Sequence, residues 1–451
     1  MGVKWSRDQV LEELKAIVGD ENVLHEEYDL LTYARDRYPP LSHPRQGVMP
    51  LAVVRPGSTE EVRQIVLLAN KYLIPLTPRG AGTNFAGSAV PKEGGIVVDM
   101  TRMNKVLEVD ELSMTVRAQA GIVIQHLEEE LNKHGLTLGH DPGSFPSATL
   151  GGCISTAALG WRAGKYGDIG QMVLGLEVVL PTGEILRTRS ITKASTGFDI
   201  KRLFIGAEGT LGIITEATLR VHPMPEEFAI LYYGFKDFET AFYAQLKVFR
   251  KGLRPAMSLV YEEEIEGPSG EKLGGSVTIV YEGVKEIVDA QVRLTEEIFK
   301  REGGVRLSDE EAWKFWEERH DMYSFMNREG QYDALDTAVP IPKVIEFYRF
   351  LRDWVRRHGL KDLGISSWVY PENISIDVAF DPEKADEYIR ARDEAAKKAL
   401  ELGGTLSYCV GIGIRYPHLM EEEHGVGFKV MKAIKKALDP NNIMNPGGLG
   451  L

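Results

Sequence analysis

At 451 residues the chain is longer than one hydrophobic core usually serves, so two domains are expected, and its 43% hydrophobic and 26% charged residues suit an ordinary globular protein. Lys and Arg number 53 against 66 Asp and Glu, a formal charge of −13, which repels phosphate backbones and argues against a nucleic-acid partner. The two cysteines, Cys153 and Cys409, lie outside any Cys-x-x-Cys spacing, which excludes a resident iron–sulfur cluster or structural zinc and fits a reduced compartment.

The chain opens on Met1-Gly-Val-Lys-Trp-Ser6 with no signal-peptide core, and no apolar run reaches ~18 residues. A cytoplasmic protein without an integral membrane segment is expected; Gly2 and Ser6 match only the bare acylation pattern. Helical spacing runs over 7–17, with Ser6 as N-cap. LAVVRP (51–56) predicts a strand, and Ser58 with Glu61 a capping box for a helix reaching Tyr72. The strand IPLT (74–77) leads into RGAGTNFAG (79–87), followed by the apolar strands GIVVDM, KVLEVD and MTVRAQA and a helix over 122–134. LGLEVVLPTGEILRT (174–188) reads as a hairpin. The prolines of VHPMPE mark a domain boundary at 222/223. Beyond it, strands such as SVTIVYEG and NISIDVAF alternate with charged helices such as 285–301, the pattern of an antiparallel sheet backed by helices.

RGAGTNFAG is not a dinucleotide-fold fingerprint, because Gly80, Gly82 and Gly87 are followed by SAVPKEGG, which cannot start a helix. It can instead form a nest of backbone N–H groups for an anion, aided by Arg79 and Thr83. DPGSFPSATLGG (141–152), KYGDIG (165–170) and GAEGTLGII (206–214) are similarly rich in small residues. Four such loops suit one long polar ligand; by composition alone they are equally four unrelated turns.

With PLTPRGAGTNFAG, HDPGSFPSATLGGCISTAALGWRAGKYGDIGQMV, LFIGAEGTLGIITEATLRVHPMP and the closing IKKALDPNNIMNPG, the chain resembles the FAD-binding superfamily of vanillyl-alcohol oxidase and p-cresol methylhydroxylase. That superfamily includes glycolate oxidase FAD subunits, D-lactate dehydrogenases and alkylglycerone-phosphate synthases. The resemblance implies an α+β fold, in which an FAD-binding domain of two α/β subdomains is split between the chain ends. A cap domain built on an antiparallel sheet lies between them. The expected boundaries are 1–222 for the FAD-binding domain, 223–404 for the cap and 405–451 for a returning C-terminal segment.

Carried over by position, Arg79, Gly80, Ala81, Gly82, Thr83, Asn84, Gly87 and Ser88 are expected at the FAD pyrophosphate. Asp141, Pro142, Ser144, Thr149, Gly151, Gly152 and Ser155 are expected along the ribityl chain and ring, and Tyr166, Gly167, Glu208, Gly209 and Ile214 near adenine and the ring edge. Asn445 is expected to close the site. No histidine stands in the pyrophosphate loop, so the FAD is expected to be noncovalent.

The hydroxy-acid branch commonly carries histidine-rich metal motifs, and the synthase branch consecutive histidines. Here the matching stretches read GISSWVYPENISIDVAF (364–380) and SYCVG (407–411), so no metal is expected. His424 is read as helix surface. The catalytic candidates become Tyr370, where the resemblance to the synthase branch implies a functional tyrosine, and then Tyr408 as acid/base groups, with Arg415 and Arg319 (beside His320) as anion clamps. Trp313 and Trp316 are read as core packing.

The leading expectation is an FAD-dependent dehydrogenase of a small 2-hydroxy acid, on the resemblance of ELKAIVGDENVLHEEYDLLTYARDRYP to that branch. The alternatives are a metal-free oxidase of a phenolic or other alcohol, and a noncatalytic or electron-relaying flavin subunit. Electrons would leave to oxygen, a quinone, or a separate iron–sulfur or electron-transfer partner subunit; the oligomeric state is left open.

Overall fold

The computed structural model describes residues 5–37, 48–321 and 331–451; Gly2 of the acylation pattern lies outside them. The N-terminal helix Arg7–Val18 begins where Ser6 accepts the Gln9 N–H at 3.2 Å, and helix Thr59–Tyr72 where Ser58 accepts that of Glu61 at 3.2 Å. Their apolar stripes cover a four-stranded sheet ordered Val23–Leu24, Ala52–Val54, Ile96–Asp99, Leu76–Arg79. The last three strands are parallel and nearly all apolar inside, because both faces are buried. Strand Leu76–Arg79 begins two residues later than IPLT suggests and delivers Arg79 directly into the glycine-rich loop.

A second sheet is antiparallel throughout: Val106–Asp110, Thr115–Gln119, Ile213–Arg220, Val173–Val179, Ile185–Arg187. It contains the expected 174–188 hairpin and is covered by helices Ile124–Asn132 and Leu150–Ser155. The latter starts inside the stretch DPGSFPSATLGG.

The third sheet has seven antiparallel strands in the order Val305–Arg306, Glu227–Phe235, Gly275–Gly283, Met257–Tyr261, Lys361–Trp368, Asn373–Phe380, Gln331–Ala338. Strand alternation gives it two different faces. Tyr233, Phe235, Val277, Ile279, Leu335, Ile374, Ile376 and Val378 point to one side, against helices Phe238–Arg250, Lys285–Arg301, Val344–His358 and Ala385–Glu401. Each fully buried side chain of this kind contributes roughly 1.5–3 kcal/mol, which makes this face the anchor of the cap. The opposite face carries Tyr232, Tyr261, Ser276, Tyr332, Asp336, Ser375 and Asp377, and it walls a cavity. Trp316 is buried there as expected, whereas Trp313 is 42% exposed and only leans on Phe228.

After the cap, helix Val426–Leu438 brings the chain back to the first sheet. Buried Lys435 donates to Thr210 O at 2.9 Å, Met444 O at 2.6 Å and Asp439 Oδ2 at 2.5 Å, and Met444 bridges to Leu76. Asp439 is only 1% exposed, so removing the ammonium leaves a buried charge without its counter-ion. Lys435→Ala is expected to lower stability by roughly 3–5 kcal/mol in denaturant unfolding. A loss below about 1 kcal/mol, the range of an exposed pair, would show that Lys435 does not hold the C-terminal return in place.

Candidate functional site

A cavity of about 600 Å³ lies where the two smaller sheets meet the cap. That volume falls within the range of cofactor and ligand pockets. One side is made by the loop that follows Leu76–Arg79. A Cβ at Gly80 would overlap Thr149 Oγ1, and one at Gly82, where φ is +69°, would overlap the Arg79 guanidinium. Glycine at both positions therefore lets this loop press against the Thr149 segment. Asn84 shapes the turn: its Oδ1 accepts from Ala86 N at 2.7 Å, and its Nδ2 donates to Val410 O at 2.7 Å. Arg79 lines the cavity while its Nη1 donates to Arg35 O at 2.5 Å and its guanidinium lies 5.1 Å from the Tyr33 ring centre, so it also braces the loop from behind.

Of the residues named from the sequence, Arg79, Gly80, Ala81, Gly82, Thr83, Asn84, Ser88, Pro142, Ser144, Thr149, Gly151, Gly152, Ser155, Glu208, Gly209 and Ile214 border this one cavity, as do Arg319 and Arg415. Glu208 is buried at φ +48°, with its carboxylate accepting from Ile412 N at 2.7 Å and Gly413 N at 2.9 Å. Burial pushes its carboxyl up; Lys92 and the two N–H bonds oppose that shift.

Five other named residues lie behind the wall. Gly87 packs on Ile414, and Asn445 donates to Glu208 O at 2.7 Å. Tyr166 is stacked beneath Arg162, and Gly167 ends the short helix Ala163–Tyr166 at φ +83°. Asp141 is buried and holds both Arg319, at 2.9 Å, and His320. Burial raises its carboxyl, but the His320 bond and the Arg319 charge outweigh that and keep it below its usual range.

Nor does the geometry bring the proposed acid/base tyrosines into the cavity. Tyr370 donates its hydroxyl to Ala163 O at 2.8 Å, and Tyr408 Oη is buried without a partner, its ring edge-on to Trp368. Burial raises both phenols above their usual value, the opposite of what a base near neutrality needs. His320 is turned to Asp141 and stacked on Phe145, away from the lining. Arg415 reaches the cavity, but its guanidinium sits 3.2 Å from the buried Asp333 and donates to Ala334 O. Its charge is thus already balanced within the wall.

The cap face supplies two acids outside the residues named from the sequence. Asp377 lines the cavity, accepting from Tyr332 Oη at 2.6 Å. Burial pushes its carboxyl up to about 6, with Asp336 and Asp333 adding to the rise and the Tyr332 bond opposing it. Asp336 accepts from Ser375 Oγ, from Asn373 Nδ2 at 3.0 Å and from Cys409 N at 3.1 Å. The signal was in the alternation: in QYDALDTA and NISIDVAF, Asp336 and Asp377 fall on the face opposite Leu335, Ile374, Ile376 and Val378. Among the described residues, no group of three or more His, Cys, Asp or Glu could hold a metal ion, and no helix is long and apolar enough to cross a membrane.

Residues 50–189 match the FAD binding domain family, and residues 224–449 the C-terminal domain of FAD linked oxidases. The glycolate oxidase subunit GlcD of Bacillus subtilis is 32% identical over 97% of this chain and 96% of its own. The D-lactate dehydrogenase of Archaeoglobus fulgidus is 32% identical over 92% of this chain and 94% of its own. Solved alkyldihydroxyacetonephosphate synthase superposes with a TM-score of 0.81 at 26% identity, covering 99% of this chain and 86% of that one. Substrate-bound p-cresol methylhydroxylase shares the fold, with a TM-score of 0.84 at 22% identity over 100% and 98% of the two chains.

The chain therefore belongs to the FAD-linked oxidases, and its cofactor is FAD. The cavity fits that cofactor on its own terms. Ser88 Oγ and Thr149 Oγ1 are buried on its wall without hydrogen-bond partners, and Arg79 borders the same cavity. Arg79→Ala is expected to lower the flavin-to-protein absorbance ratio of purified protein at least several-fold, because the loop loses both its brace and its cation. Full flavin occupancy in that variant would remove Arg79 from cofactor binding.

Proposed function

We propose that this protein dehydrogenates the carbinol carbon of a small alcohol, with noncovalent FAD as hydride acceptor and Asp377 as the base. The observation that carries the proposal is Asp377 itself. It is an acid on the cavity wall, anchored by Tyr332, whose carboxyl is raised to about 6 and is therefore charged yet basic near neutral pH. The 79–88 loop would bind the pyrophosphate, and Pro142, Ser144, Thr149 and Ser155 the ribityl chain and ring edge. Bound FAD supplies the two-electron acceptor. As the carbinol C–H leaves as hydride, the hydroxyl proton passes to a carboxylate oxygen of Asp377 and a carbonyl product remains. Tyr332 fixes that carboxylate in place. The cap helices behind the sheet keep the wall rigid and help to exclude water. The electrons would then leave the site to oxygen, a quinone or an electron-transfer partner.

The names of the relatives support a finer reading, a 2-hydroxy acid such as glycolate or D-lactate. The cavity charge bears on that choice separately. Asp377→Asn is expected to slow anaerobic flavin reduction by roughly 10²–10⁴-fold with FAD retained. In the unsubstituted enzyme the rate should rise through pH about 6, as Asp377 loses its proton, and then level off. Tyr370→Phe should stay within about threefold of the unsubstituted rate, since that hydroxyl serves Ala163 O. A pH profile unchanged in Asp377→Asn would remove Asp377 as the base.

A further inference from the structure

Five hydroxyls on the cap wall share a property that charge alone does not convey: their protons are already engaged by neighbouring acceptors of the protein. Tyr232 donates to Glu263 at 3.1 Å, Ser276 to Glu263, Tyr332 to Asp377 at 2.6 Å, and Ser375 to Asp336. Tyr261 gives its proton to Leu363 O at 2.8 Å. Strand pairing places Ser276, Tyr261, Ser366, Ser375 and Asp336 in one row across five strands, with Asp377 two residues beyond Ser375. All of these residues line the cavity. A hydroxyl that has donated its proton, like a carboxylate, offers only lone pairs. Tyr232, Tyr261, Ser276, Tyr332 and Ser375 therefore join the carboxylates of this wall as acceptors.

The charges point the same way. Among the described lining residues of the cap side, Glu263, Glu311, Asp336 and Asp377 are acidic, while the cations are Arg319 and Arg415. Arg319 is held by Asp141 at 2.9 Å and Arg415 by Asp333 at 3.2 Å, both acids lying behind the lining. A carboxylate substrate would bring acceptor-only oxygens and a negative charge to a surface of acceptors with net negative charge, a juxtaposition that like-charge repulsion disfavours once water is excluded. Vicinal hydroxyls, by contrast, donate into each of these lone pairs. Trp368, Tyr232 and Phe315, on the same lining, offer flat faces for the C–H edges of such a molecule.

Resting on the alcohol-oxidising reading above, we infer that the substrate is a neutral, polyhydroxylated alcohol rather than a hydroxy acid, recognised by the acceptors Tyr261, Ser375, Asp336 and Asp377. The oxidised centre is one of its carbinols, converted to a carbonyl with hydride to FAD. The remaining hydroxyls donate to the wall.

The test uses FAD-loaded enzyme under anaerobic conditions and matched pairs: glycerol against glycerate, and xylitol against xylonate. Serinol, an amine-bearing alcohol, is the third arm. Two readouts are taken, perturbation of the flavin spectrum on binding and bleaching on reduction. The neutral polyol of each pair is expected to bind at least about tenfold more tightly than its acid, and Glu311→Arg to narrow that gap by raising affinity for the acid. Glu263→Gln should weaken polyol binding several-fold. Tighter binding of the acids, or binding of serinol alone, would overturn the inference, as would no binding by either polyol. Polyol binding without bleaching, in enzyme that dithionite still reduces, would support the wall's specificity while sinking the alcohol-oxidation reading. Bleaching by glycerate or xylonate alone would do the reverse.

Discussion

Four separated stretches of chain meet at the side chain and backbone of one buried residue, Glu208. Its carboxylate binds the N–H groups of Ile412 and Gly413, its own N–H donates to Ser155 O at 2.8 Å, and its carbonyl accepts Asn445 Nδ2 at 2.7 Å. Asn445 in turn reaches back to Ser88 O at 3.4 Å, on the glycine-rich loop. A backbone at φ +48° in a non-glycine residue is a strained state costing of order 1–3 kcal/mol, tolerated where surrounding bonds over-determine it. Those bonds do so here, and they tie the helix Leu150–Ser155, the post-cap segment and the C-terminal return around the cavity wall that Glu208 borders.

This junction explains why a cofactor site can be assembled from residues more than 300 positions apart. The first sheet supplies the loop, the second supplies Thr149 to Ser155, and the cap supplies a polar face. None of these surfaces is a pocket alone. Lys435 performs the same service on the other side of the return, neutralising Asp439 and holding Thr210 and Met444. The seven-stranded sheet is free to carry an acidic, tyrosine-bearing face because its other face is packed on four helices. Stability and chemistry are divided between alternate residues of the same strands.

The elements that sequence reading recovered best were those with strong periodicity or explicit punctuation. The helix over 285–301 and the strand NISIDVAF coincide with the structure, and both serine caps form as expected. Three of the four small-residue stretches, 79–87, 141–152 and 206–214, border one cavity, which composition could suggest but not demonstrate, while 165–170 lies behind it. The catalytic tyrosines fared differently because a residue's place in a family-like motif says nothing about where its hydroxyl points. Tyr370 turns to a backbone carbonyl, and Tyr408 to an apolar cluster with Trp368 and Cys409. Asp336 and Asp377 were visible as acids interrupting apolar alternation, a pattern that signals a polar cavity wall as readily as solvent. Which of the two it is depends on what packs opposite, a long-range property.

The account depends on Glu208 as the junction that gives the FAD cavity its shape, and the most direct measurement is the FAD dissociation constant of Glu208→Gln beside that of the unsubstituted protein. Glutamine keeps the volume but turns one acceptor oxygen into a donor facing the Gly413 or Ile412 N–H, which breaks a charge-assisted bond worth about 1.5–3 kcal/mol. The account predicts affinity for FAD weakened at least about tenfold, with secondary structure retained by circular dichroism. Unchanged FAD affinity in a folded Glu208→Gln protein would contradict it.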